Sequence, residues 1–179
     1  MDVRGQVRVV YAAVATAALL LAVDVALSAA ALHNLSGLDL RMVSDQQLRQ
    51  VRIDMINNLV VTAVGALVVG VLVLVVRTPS NKVRVALWTL GPLIALALLC
   101  GLVGGPEWAV APTGDEPQQL RDEYEQAVPG WYVTLHGIAG LLAAALLIFA
   151  AVFVTRTGMR EYYLDNVDGT RYRSWVDRA

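Results

Sequence analysis

Four long apolar segments, Val9–Leu32, Leu59–Val76, Val85–Val103 and Trp131–Thr155, constrain this chain more than anything else in it. They run to between 18 and 25 residues each. At about 1.5 Å per residue, a helix needs roughly 20 apolar residues to cross a hydrocarbon core about 30 Å thick. Four such segments in 179 residues, 57% of them apolar, leave too little polar surface for a water-soluble globule. The expected fold is an all-α integral membrane protein. It is a four-transmembrane-helix bundle whose two helical outer loops form a small extracytoplasmic cap. Residues 1–155 make one domain, because the polar connections are too short for an independent core, and residues 156–179 form a tail.

Charge sets the sidedness. Lys and Arg resist translocation more than acids do. With the N-terminus inside, the inner segments hold ten cations (Arg4, Arg8, Arg77, Lys82, Arg84, Arg156, Arg160, Arg171, Arg173 and Arg178) against four outside (Arg41, Arg49, Arg52 and Arg121). Both termini are expected in the cytoplasm. Thirteen arginines to one lysine, with abundant Ala and Val, suggest a high-GC bacterial genome and hence a bacterial plasma membrane. Arg4 and Arg8, an apolar stretch and the small run Ser28–Ala31 also fit a signal peptide. The stretch is long for one, and a retained first span is the reading carried forward.

The outer loops look built. In the first, residues 33–58, Ser44-Asp45-Gln46-Gln47 fits a capping box. Leu48, Val51, Met55 and Leu59 follow it at helical spacing, so the second span should begin outside the membrane near Asp45. In the second, residues 104–130, Asp115-Glu116-Pro117 reads as a helix start with Pro at the first helical position. Leu120, Tyr124 and Ala127 form an apolar stripe, and Pro129-Gly130 breaks the chain before the fourth span. This loop carries a net −5. Arg49 and Arg52 on the first projecting helix are expected to face Asp122 and Glu123 on the second; two independent solvated hairpins are the alternative.

Inside the spans the only charged residue is Asp24, and the only histidine is His136. A carboxylate near a bilayer centre costs about 2.5–3.5 kcal/mol even on the mild insertion scale, so it must be neutral, paired or facing water. Counted from the outer ends of their spans, Asp24 and His136 lie roughly 12 and 8 Å deep, close enough to meet if the first and fourth spans adjoin. Such a pair is a polar clasp or a proton-handling site. Tyr11, Thr16, Ser28, Thr62, Thr89 and Thr134 read as helix hydrogen-bonders. Trp108, Trp131 and Tyr132 read as interfacial anchors.

Small residues four apart (Ala13/Ala17, Ala22/Ala26, Ala26/Ala30 and Gly140/Ala144) point to close packing of the first and fourth spans. Gly91-Pro92 is expected to kink the third. The fourth helix is expected to run on to Tyr163, followed by a turn at Asp165–Gly169. The aromatic and arginine mix of the tail (Tyr162, Tyr163, Tyr172 and Trp175 with Arg160, Arg171 and Arg173) suits headgroups or a partner surface.

Little catalytic chemistry is legible. Cys100 is alone, which excludes an intramolecular disulfide. No phosphate-cradling glycine loop, no metal-spaced Cys/His set and no nucleic-acid-binding basic run is present. His33 and His136 sit at different depths, which does not suit paired haem ligands, and Glu107, Asp115 and Glu116 lack a spaced histidine to make a metal site. No cofactor and no metal is expected. The expected function is a non-enzymatic accessory or interaction subunit of a membrane complex, with the lipid bilayer and a protein partner or a second copy of the chain as its contacts. The alternative is a small proton- or cation-coupled transporter or channel using Asp24.

Overall fold

The computed structural model describes residues 3–38, 41, 43–106 and 117–164. Expectations resting on Glu107, Trp108, Asp115, Glu116 and the tail from Asp165 lie outside the described residues. Six helices follow in order: α1 (Val3–Ser36), α2 (Asp45–Val75), α3 (Asn81–Val103), α4 (Gln118–Ala127), α5 (Gly130–Phe153) and α6 (Thr157–Leu164). No strand occurs among the described residues. Four helices, α1, α2, α3 and α5, are long and apolar enough to cross a membrane, the pattern of a multi-pass membrane protein.

Each apolar segment forms a helix because nothing inside it supplies an alternative for the backbone. The first two extend well past their apolar stretches: α1 has 34 residues and α2 has 31. At 1.5 Å per residue these are about 51 and 46 Å long. α2 begins at Asp45 because the capping box forms. The Gln47 amide donates to Ser44 Oγ at 3.3 Å, and the Ser44 amide donates back to Gln47 Oε1 at 3.3 Å.

α3 continues through Pro92 without a break in its helical assignment. The glycine beside it has a clear use: a Cβ on Gly91 would stand 3.2 Å from the Leu147 carbonyl oxygen. α4 starts one residue later than expected, with Pro117 as its N-cap rather than its first helical residue. The fourth span does not run through to Tyr163. At Thr155 and Arg156 the bonds tighten to the third residue back (Val152 O and Phe153 O), and α5 closes before α6 begins.

The chain forms two compact units, and each of the four long helices contributes a segment to both. The first comprises Met1–Leu19, Ala66–Leu96 and Ala143–Ala179; the second comprises Leu20–Gly65 and Ala97–Leu142. The first is cored by small and branched apolar side chains such as Val14, Ala17, Val69, Leu87, Leu147 and Ala151. α6 is tied to the end of α2 there. Tyr163 Oη donates to the Val76 carbonyl and Tyr162 Oη to the Arg77 carbonyl, both at 2.7 Å. These carbonyls lie past the last turn of α2, where backbone oxygens lack helical partners. The Arg77 guanidinium lies over the Tyr11 ring, 3.7 Å from its centroid.

In the second unit Ala31, Leu35, Val43, Val51, Met55, Tyr124, Ala127, Val128 and Tyr132 form one buried apolar cluster. The α4 stripe meets α1 and α2 here, with Leu120 partly buried against the cluster.

Candidate functional site: a buried polar seam

Three helices of the second unit each present two polar side chains one turn apart: Asp24 and Ser28 on α1, Asn58 and Thr62 on α2, Tyr132 and His136 on α5. The i, i+4 spacing puts each pair on one helix face. All six are buried. Excluding tyrosine, they account for every buried polar or charged residue among those described.

The inner layer is tightly joined. His136 Nδ1 and Asp24 Oδ1 stand 2.7 Å apart, and Thr62 Oγ1 donates to Asp24 Oδ2 at 3.3 Å. Both carboxylate oxygens are therefore engaged, and Asp24 is 0% exposed against 7% for His136. The imidazole and the carboxyl group therefore partner each other directly. A hydrogen-bonded partner is what an ionisable group needs when an apolar surrounding shuts it away from water. In the outer layer Ser28 Oγ and Tyr132 Oη stand 3.5 Å apart. The Tyr132 ring stacks on His136, with centroids 5.4 Å apart and planes 14° from parallel. That contact fixes the orientation of the imidazole.

Tyr132 is thus not an interfacial anchor: it is fully buried, while its neighbour Trp131 is 42% exposed. Its position four residues before His136 carried the signal, as did Ser28 four after Asp24. His33, in contrast, is exposed in the last turn of α1.

The structure does not bring the expected outer charges together. Arg49 and Arg52 are both exposed, and among the described residues no hydrogen bond or ion pair joins either to Asp122 or Glu123. Glu123 turns instead to the chain leading into α2, accepting from the Arg41 amide at 3.3 Å and the Val43 amide at 3.1 Å. Asp122 accepts from Gln118 Nε2 within α4. Gln47 Nε2 donates to Tyr124 Oη at 3.3 Å. Backbone donors near a loop are fixed in place, whereas two long arginines on a wet helix face lose entropy in pairing.

The small-residue pairs separate likewise. Ala13, Ala17, Gly140 and Ala144 are buried, whereas Ala22, Ala26 and Ala30 lie on the exposed side of α1. A Cβ on Gly140 would meet Leu102 of α3 at 3.5 Å, so this glycine serves α3 rather than α1.

Comparison with known protein families, with curated proteins and with solved structures yields no match. The class the fold defines, an all-helical chain with four helices able to cross a membrane, rests on this molecule's own features.

Proposed function

We propose that this protein is a non-enzymatic accessory or interaction subunit of a membrane complex. It would sit in a bacterial plasma membrane with both termini cytoplasmic, as a four-helix bundle carrying a small extracytoplasmic cap. One observation carries the reading: the ionisable residues of the spans, Asp24 and His136, are spent on each other in a closed contact. A transported ion needs a carboxylate that water can reach. The exposed polar groups gather instead on α4 and the start of α2, where Gln119, Glu125, Asp45 and Arg49 face outward. The backbone beneath them is held by Glu123 and by the Gln47–Tyr124 bond, which suits a surface presented to another protein.

Photo-crosslinkers at Gln119 and Glu125 test this in intact membranes. The expected result is a discrete stoichiometric adduct with a protein partner or a second copy. A monodisperse monomer with no adduct, together with solute uptake into vesicles that Asp24→Asn abolishes, would replace this reading with transport through Asp24.

A further inference from the structure

Asn58 is 8% exposed, and its Nδ2 is fully buried with no hydrogen-bond partner. An amide donor shut away from both water and protein carries its full desolvation penalty. The site could have been filled by an apolar residue, since the neighbouring turns of α2 bury Val51 and Met55.

The seam supplies polar groups at the same level as this donor. Thr62, one turn further along α2, reaches Asp24, and Ser28 lies one turn outward of Asp24 on α1. Tyr132 lies one turn outward of His136 on α5. Because α2 and α5 enter from the end at which α1 leaves, Asn58 falls in the same layer as Ser28 and Tyr132. The Ser28–Tyr132 separation of 3.5 Å is long for two hydroxyls, which prefer about 2.7–2.8 Å. The oxygen end of Asn58 points the other way, toward α3: a Cβ on Gly101 would stand 3.2 Å from Oδ1. The bare glycine lets the amide sit where its nitrogen is turned from α3.

We propose that Asn58 Nδ2, Ser28 Oγ and Tyr132 Oη bind one ordered internal water. The water accepts from the amide and donates to the hydroxyls, within the two-to-four polar partners that buried waters use. It completes the outer layer as Thr62 completes the inner one. The apolar cluster of Ala31, Val51, Met55 and Tyr124 borders this layer on its outer side, so the water exchanges slowly with bulk. It is a structural ligand that makes three helix faces mutually specific.

The test is water–protein NMR on the full-length protein in lipid nanodiscs with ¹⁵N-labelled asparagine. The Asn58 side-chain amide is expected to show a dipolar cross-peak at the water frequency, with the sign of a long-lived contact. Ser28→Ala, which removes the acceptor and adds no bulk, should reduce that peak at least twofold. Absence of the peak in the wild type overturns the proposal, as does an undiminished peak in Ser28→Ala. Asn58→Leu gives a second readout: its melting temperature should not rise. A clear rise would identify Asn58 as a dry orphan and also overturn the proposal.

Discussion

The two compact units bury their helices by different means. In the first, the buried core is apolar, and seven cations stand among its described residues: Arg4, Arg8, Arg77, Lys82, Arg84, Arg156 and Arg160. Its specificity comes from shape, with Gly91 admitting the α5 backbone and Tyr162 and Tyr163 closing the end of α2. In the second, three helix faces are keyed by polar groups that fit only one another. Apolar packing tolerates sliding among similar side chains, but a carboxylate displaced by one turn loses its imidazole and threonine together. The same chain therefore fixes one region by volume and the other by hydrogen-bond identity.

Substitution at matched burial exposes that difference most strongly. Leu147→Ala in the first unit should cost about 2–5 kcal/mol, scaling with the cavity it leaves. Asp24→Leu removes no volume, yet should cost about 3 kcal/mol by orphaning His136 and Thr62. Reversible unfolding in mixed micelles reads both; an Asp24→Leu variant as stable as the wild type would erase the contrast.

The glycines sharpen it on a smaller scale. Gly91→Ala drives a methyl against a backbone carbonyl that cannot move aside, and should lose about 1 kcal/mol or more. Gly101→Ala meets the tip of the Asn58 side chain instead. Side-chain give and the roughly 1 kcal/mol helix preference of Ala over Gly should leave that variant near wild-type stability. Melting temperatures in detergent would show equal losses if backbone and side-chain contacts were equivalent.

Tyr163→Phe tests the tyrosine closure and should lose about 1 kcal/mol, since the buried Val76 carbonyl keeps no partner. The smallest effect is on the alkaline side. Burial, and secondarily the charge of Tyr162, raise the Tyr163 phenol above its ordinary value of 10.0. The folded state thus prefers the neutral phenol more than the unfolded chain does. That stabilisation is fully present below about pH 10 and falls away as pH rises above it. A wild-type pH–stability curve that matches Tyr163→Phe between pH 9 and 11 would contradict this.

Much of the architecture was legible because it depends on local pattern. Apolar length marked the four helices, and Ser44 with Gln47 marked where α2 begins. Similar depth, roughly 12 and 8 Å from the same side, pointed to Asp24 and His136. What could not be read depends on which face a neighbour occupies. Ala22, Ala26 and Ala30 repeat as regularly as Ala13 and Ala17, yet lie on the exposed side of the same helix. Periodicity gives a face but not its partner. Arg49 and Arg52 share a helix face, yet among the described residues neither bonds to Asp122 or Glu123, while Glu123 found backbone amides that no charge count reveals. The seam itself was half visible, since each of its helices repeats a polar residue at i, i+4; only the joining of three such pairs required the structure.

The closed contact between Asp24 and His136 is the claim on which the rest turns, and a double-mutant cycle measures it most directly. Asp24→Leu and His136→Leu should each destabilise the protein. Together they should restore most of the loss, because replacing both members of a buried pair leaves only the Thr62 hydroxyl, which can turn to its own helix backbone. That result identifies a structural clasp. Strictly additive losses would mean that the two side chains do not depend on each other, and the clasp would have to be abandoned.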